Sequence, residues 1–176
     1  YRLIHQLLLR LIHCMPVGNV EVIAADPLRL GTSLAPFLSL LKVKRLFPDQ
    51  RLLTRSDELE NALAQLTNYV EDLLQNKFKG EIKSWTAYNA ANASNPLSYK
   101  LLIVFGIPEQ LTDKSLWFLG RLLEHGPSCG VLPVLTIDEE RLIDRKFTGL
   151  HSAVNAYCRR MDSIVPDEVL AQHVSK

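Results

Sequence analysis

The 176-residue chain has only three cysteines, Cys14, Cys129 and Cys158, with no short spacing between them. An odd, scattered set excludes a disulfide framework and a CxxC metal knuckle, and free thiols fit a reducing cytoplasm. Long apolar runs are missing as well. The run Leu7–Ile12 is interrupted by Arg10, and no stretch approaches the length needed to cross a bilayer. No charged start followed by an apolar stretch and a small-residue cleavage site is seen. Charge of one sign is also lacking: the formal net charge is +1. Bulk charge therefore implies neither nucleic acid nor an acidic partner, and any basic footprint has to be local. The five histidines, His5, His13, His125, His151 and His173, form no H-x-x-x-H pair, which argues against a zinc site. No internal repeat or low-complexity tract is present.

What remains is ordinary globular material. Hydrophobic residues make up 47% and charged residues 22%, enough for one full core and too apolar for disorder. The chain opens at Tyr1 without Met, inside what reads as a helix. The expectation is a piece of a longer protein.

Hydrophobic periodicity divides the chain. Tyr1–Cys14 is apolar on nearly all sides, the mark of a helix covered on several faces, and Pro16 and Gly18 end it. Val20–Ala25 is a short β-branched run closing on Asp26-Pro27 and reads as a buried strand. Ser33–Leu41 reads as a short helix with Pro36 in its first turn. Ser56 is placed to cap a long helix, with Asp57 and Glu58 in its first turn and Leu59, Leu63, Leu66, Val70, Leu73 and Leu74 at helical spacing, ending near Gly80. Another helix spans Ile82–Ala91, and Asn92–Pro96 is a turn cluster. Tyr99–Phe105 is a second buried strand, stopped by Gly106 and Pro108. Thr112 caps a helix with Leu116, Leu119, Leu122 and Leu123 on one face, ended by Gly126-Pro127. Gly130–Ile137 is a third apolar strand, and Pro133 within it points to an edge or an irregularity. Helices then follow at Glu139–Lys146, Leu150–Arg160 and Pro166–His173.

Apolar strands alternating with helices imply a parallel sheet covered on both faces, with right-handed crossovers. Ligands of such sheets sit beyond the strand C-termini. Here those ends are Asp26, Gly106 and Thr136–Asp138.

The order of these segments resembles the motor domain of FtsK/SpoIIIE-type P-loop ATPases, in the part that follows the phosphate loop. The family's Leu-Leu-His-type helix is matched by Leu3-Ile4-His5-Gln6-Leu7-Leu8, and its strand ending in Asp-Pro by Ile23-Ala24-Ala25-Asp26-Pro27. A long helix and a Tyr-Asn element are matched by Ser56–Phe78 and Tyr88-Asn89. Leu101–Gly106 stands at the acidic (Walker B) strand, and Leu116–Glu124 with Cys129-Gly130-Val131 leads into the sensor strand. The resemblance covers residues 1–138 and implies a RecA-like α/β fold. Residues 139–176 are expected to be a helical C-terminal extension of the same domain.

The departures from the family pattern shape what the resemblance implies. The phosphate loop G-x-x-x-x-G-K-[ST], which supplies backbone N–H groups, a lysine and a magnesium-binding hydroxyl, would lie before Tyr1. ATP and Mg²⁺ are thus expected only with the full-length protein, and neither is expected to bind this segment tightly. The acidic-strand Asp is replaced by Gly106, and Glu109 is the nearest acid. The turn before the sensor strand, Gly126-Pro127-Ser128, lacks the family's Arg, and Thr136 falls near the sensor position. A metal-holding carboxylate and a cationic finger are large terms in phosphoryl transfer, the finger alone about 10³–10⁵ in rate. The expectation is a degenerate motor domain: Glu109 and Thr136 as catalytic remnants, Asp26 and Gly106 on the nucleotide edge. Partners would be other copies of itself or subunits of a larger assembly. Double-stranded DNA could be met by the basic residues Lys42, Lys44, Arg45, Arg51 and Arg55, which also read as an ordinary solvated face. The alternative is a pseudo-ATPase scaffold that docks a protein.

Rival motifs weigh less. Val134–Glu139 looks locally like a second acidic strand, but Asp138-Glu139-Glu140 suits a helix N-terminus. Gly126-Pro127-Ser128-Cys129-Gly130 fits G-x-S-x-G, with Asp138 and His151 following. A hydrolase elbow needs a strand before the serine and a helix after it, the reverse of the order here. Trp85, Tyr88, Trp117 and Phe118 read as core or helix-packing residues, and Arg159-Arg160 as complements to a helix C-terminus.

Overall fold

A computed structural model of the protein describes residues 2–16 and 18–161. The helix expected at Pro166–His173 lies outside these residues. Among them three strands form one sheet: β1 (Val20–Ala25), β2 (Tyr99–Ile107) and β3 (Val131–Ile137). Their order is β1-β2-β3 and both pairings are parallel. The helices are α1 (Arg2–Cys14), α2 (Ser56–Asp72), α3 (Trp85–Ala91), α4 (Asp113–His125), α5 (Glu139–Leu142) and α6 (Thr148–Tyr157).

Strand parity sorts the core into two halves, because successive side chains leave opposite faces of a sheet. Leu101, Ile103 and Phe105 of β2 join Val20, Val22 and Ala24 of β1 under α1 and the 3₁₀ segment Thr32–Lys42. Leu102 and Val104 join Ala25 on the other face, under α2, α4 and α6. Ile107 breaks the parity: an odd position, it lies in the second half. The cause is a register shift between Val104 and Ile107, where one extra residue is accommodated. Gly106 sits there with φ 75°, a conformation costly for residues with a Cβ.

Several elements differ from the expected ones for local reasons. Ser56 does not cap α2. Its hydroxyl donates to Gln110 (3.1 Å), and Glu58 reaches back to accept from the Thr54 N–H (3.1 Å). The α-helix stops at Asp72 and passes into a π-turn, Leu73–Lys77, short of Gly80. Ser84 caps α3 by accepting from the Ala87 N–H, so Ile82 and Lys83 stay outside it. Glu139–Lys146 is not one helix: α5 ends at Leu142 and a separate 3₁₀ turn spans Arg145–Phe147. Thr112 and Asp138 cap α4 and α5 as expected, accepting from Ser115 and Arg141 N–H groups. Pro133 is in an edge strand. Trp117 is a correction: it is 56% exposed, with the Arg121 guanidinium over its ring. Arg160 pairs with Glu139 and does not cap α6, which ends at Tyr157.

The N-terminal end of the sheet carries a polar cluster. Lys100 Nζ donates to Glu21 Oε2 and Ser98 Oγ to Glu21 Oε1, both at 2.6 Å, while Lys100 lies over the Tyr69 ring. Burial works to raise the Glu21 pKa, but the Lys100 and Ser98 hydrogen bonds together outweigh it and the net shift is downward. Burial first, then the nearby Glu21 charge, pushes the Tyr69 phenol up to about 12.

Two predictions follow from this packing. A carboxyl whose pKa is lower folded than unfolded stabilises above its unfolded value and loses that contribution as pH falls through the folded one. The stability advantage of the native protein over Glu21→Gln, about 1 kcal/mol at neutral pH, should therefore be constant above the usual carboxylate range and shrink below pH 4.5. Urea melts at stepped pH measure it. Separately, Gly130 has φ 76° and faces Trp85, whose Cδ1 would lie 2.3 Å from an added Cβ. Trp85 stacks on Tyr99 at 3.9 Å between ring centroids. Gly130→Ala should cost about 2–3 kcal/mol in chemical denaturation.

Candidate functional site

Parallel pairing brings the C-terminal tips of all three strands to one rim. The β1 tip is Asp26, 1% exposed. Its carboxylate accepts from the Arg29 N–H (Oδ1, 3.2 Å) and the Ser33 N–H (Oδ2, 3.0 Å). Its own N–H donates to Leu53 (2.9 Å) and its carbonyl accepts from Gly31 (3.1 Å). A buried carboxylate so engaged organises the loop between β1 and the 3₁₀ segment. The next layer supports it: His5 Nε2 is 2.6 Å from the Ser33 carbonyl and the His5 ring packs on Phe37. This is the place in the fold of the histidine in the Leu3–Leu8 stretch.

At the β2 tip the Gly106 N–H donates to Thr136 Oγ1 (2.8 Å). Gly106 and Thr136 are thus brought into direct contact, and Thr136 satisfies the amide that the bulge takes out of the ladder. Leu28, two residues past Asp26, closes over Gly106, with its Cδ2 3.0 Å from where a Cβ would be. Glu109 follows in the turn after β2 and forms an ion pair with Arg141 of α5. Arg141 also lies 3.4 Å from Asp138. The Asp138 N–H donates to the Ile107 carbonyl (2.8 Å), holding the β3 tip against β2.

Asp26, Gly106, Thr136 and Glu109 therefore share one rim, as the strand order requires. Their chemistry is already committed. Asp26 is on backbone amides, Glu109 and Asp138 are on Arg141, and the Gly106 amide is on Thr136. Each of these carboxylates has a partner among the described residues. No group of three His, Cys, Asp or Glu among the described residues is placed to hold a metal ion. Arg141 is the rim residue that sequence reading missed; its only signal was its position one turn past the Asp138 cap.

The five basic residues do not act as one set. Arg51 pairs with Glu58 (3.0 Å) and Arg55 with Asp57 (2.9 Å), both on the α2 N-terminus. Lys42 ends the 3₁₀ segment and Lys44 and Arg45 follow it in the loop; all three are exposed. Ser128 lies in a 3₁₀ turn between α4 and β3 and donates to the His125 carbonyl (2.8 Å), with a helix before it and a strand after it. His151 sits on α6 beside Asn155 (3.1 Å). All three cysteines are free, and burial pushes the Cys129 thiol up.

No protein-family model and no curated sequence matches the chain. Solved structures that share its architecture include two ATPases. One is the conjugation coupling protein TcpA of pCW3, in a monomer form with ATPγS, at TM-score 0.52 and 13% identity over 73% of this chain. The other is Thermomonospora curvata EccC, ATPases 2 and 3, in complex with a signal sequence peptide, at TM-score 0.52 and 14% identity over 90% of this chain. The chain spans 37% and 30% of the lengths of those proteins. It has the RecA-like parallel α/β fold of these structures. No helix among its described residues is long and apolar enough to cross a membrane.

The Asp26 geometry yields a prediction. Asp26→Ala removes an acceptor from two backbone amides inside the protein and should cost about 2–4 kcal/mol. Asp26→Asn, which keeps one acceptor oxygen, should cost about half as much. Guanidinium unfolding of the two variants measures the difference.

Proposed function

We propose that this chain is a module of an FtsK/SpoIIIE-like, ATP-dependent DNA-translocating assembly, and that hydrolysis is weakened or lost in this domain. The RecA-like fold supports the motor ancestry. The observation that carries the loss is the β2 tip: glycine stands where a metal-holding acid would be, and Glu109, the nearest acid, is tied to Arg141. Phosphoryl transfer depends on a carboxylate that holds Mg²⁺ and on cationic charge aimed at the γ-phosphate. An arginine paired with a glutamate supplies little of either. In this reading the module retains the fold and its contacts with other copies or subunits, and any ATP and Mg²⁺ belong to the full-length protein. Double-stranded DNA is the proposed substrate of the whole assembly.

A scaffold reading has one observation in its favour. Leu28 and Leu30 on the rim loop are 45% and 74% exposed, and Leu30 has φ 51°, a conformation unusual for a bulky residue. An exposed apolar loop at the nucleotide edge suits a docked protein in place of a nucleotide.

ATP binding and turnover by the full-length polypeptide test the proposal. The expected result is nucleotide binding with turnover about a thousandfold or more below that of an active motor. Turnover of about 1 s⁻¹ or faster, lost on Glu109→Gln, contradicts it. Turnover and ATP binding both absent, with Leu30→Asp abolishing capture of a subunit of the same assembly, favours the scaffold.

A further inference from the structure

A cavity of about 170 Å³ lies between α1, the start of β1 and the loop after the 3₁₀ segment. Val20 and Val22 form its floor, at the opposite end of β1 from Asp26, so it is separate from the rim. Leu8, Leu11, Met15 and Leu46 are among its walls, and no lining residue carries a polar side chain. A lining of this kind favours apolar guests. A cavity of about 150 Å³ holds the six carbons of benzene, so this one suits a chain of about six or seven carbons. A peptide backbone laid into it would find no side-chain partner for its N–H and C=O groups. A guest whose polar atoms all sit at one end loses nothing.

The charge on the segment that contributes Val43 and Leu46 to the wall selects that end. Val43 and Leu46 line the cavity, and Lys42, Lys44 and Arg45 alternate with them in the sequence, all three exposed. The Arg45 stem reaches Gly18, itself a lining residue: Arg45 Cδ is 4.0 Å from the position of a Gly18 Cβ. None of the three forms an ion pair among the described residues, whereas Arg51 and Arg55 in the following segment both do. Opposing them are Asp49, the one acid between residues 42 and 50, and the partial negative charge at the α1 C-terminus, about half a unit. The balance is positive. We propose that this cavity binds a medium-chain carboxylate, its alkyl tail between α1 and β1 and its head among Lys42, Lys44 and Arg45.

Methyl-labelled protein, the full 176-residue chain, is titrated with sodium octanoate, butanoate and n-octylammonium below their micelle-forming concentrations and followed by NMR. Octanoate is expected to shift the Leu8, Val20 and Val22 methyl signals saturably. Butanoate, four methylenes shorter, should bind about a hundredfold more weakly. The octylammonium cation should bind about fivefold more weakly than octanoate. The surface variant Lys44→Glu/Arg45→Glu should lose about fivefold in octanoate affinity and gain for octylammonium. Absence of saturable shifts, shifts confined to other methyls, or equal binding of the two octyl probes overturns the proposal. An acidic phenylalanine-containing peptide that displaces octanoate at lower concentration also overturns it, and makes the cavity a protein-docking site.

Discussion

Backbone pairing on both sides of β2 constrains everything else in this molecule. Leu101–Phe105 are each at most 3% exposed, so water cannot satisfy their amides and carbonyls. Two flanking strands must do so, and both run parallel to β2. Parallel neighbours cannot be joined by tight turns, which forces the long crossovers that carry α2–α3 and α4 over the sheet. The same geometry sends Asp26, Gly106 and Thr136–Asp138 to one end. The rim is thus a consequence of how the buried strand is paired, before any residue on it has a role.

What the rim then holds is largely self-contained. The carboxylate of Asp26 accepts two backbone N–H groups and fixes the loop on which Leu28 and Leu30 stand. The amide freed by the Gly106 bulge goes to Thr136. Glu109 and Asp138 share Arg141. Each arrangement resolves a local electrostatic or hydrogen-bonding need.

The sheet was legible because its strands are short, β-branched and apolar on both faces, and because Pro16, Gly18, Pro108, Gly126 and Pro127 punctuate them. The β1 bounds follow directly from Val20–Ala25. Asp26 could be read from its place at the end of an apolar strand, and Thr112 by chemistry: a short polar side chain at the start of a helix. What could not be read depends on contacts distant in sequence. Ser56 fits a cap by type, yet Gln110 takes its hydroxyl. The break after α5 follows from no residue that punctuates by itself. The Gly106 bulge needs Thr136, thirty positions away, and the pairing of Glu109 with Arg141 needs the β3 crossover to be complete. Trp117 was misread because aromatic size suggests burial, while its helical phase points it outward.

Pro133 has a consequence for the open side of the sheet. Lys100 bonds to the Gly130 carbonyl, so in a parallel ladder Gly130, Leu132 and Val134 address β2 while Val131, Pro133 and Leu135 turn their backbone outward. The Val131 N–H is consumed by Gly126 and Pro133 has none. The first half of this border therefore offers a newcomer carbonyl acceptors but no donor, and the outward donors are those of Leu135 and Ile137. A further strand laid alongside would find backbone donors only at the end nearest the rim, where the ligand-facing tips lie.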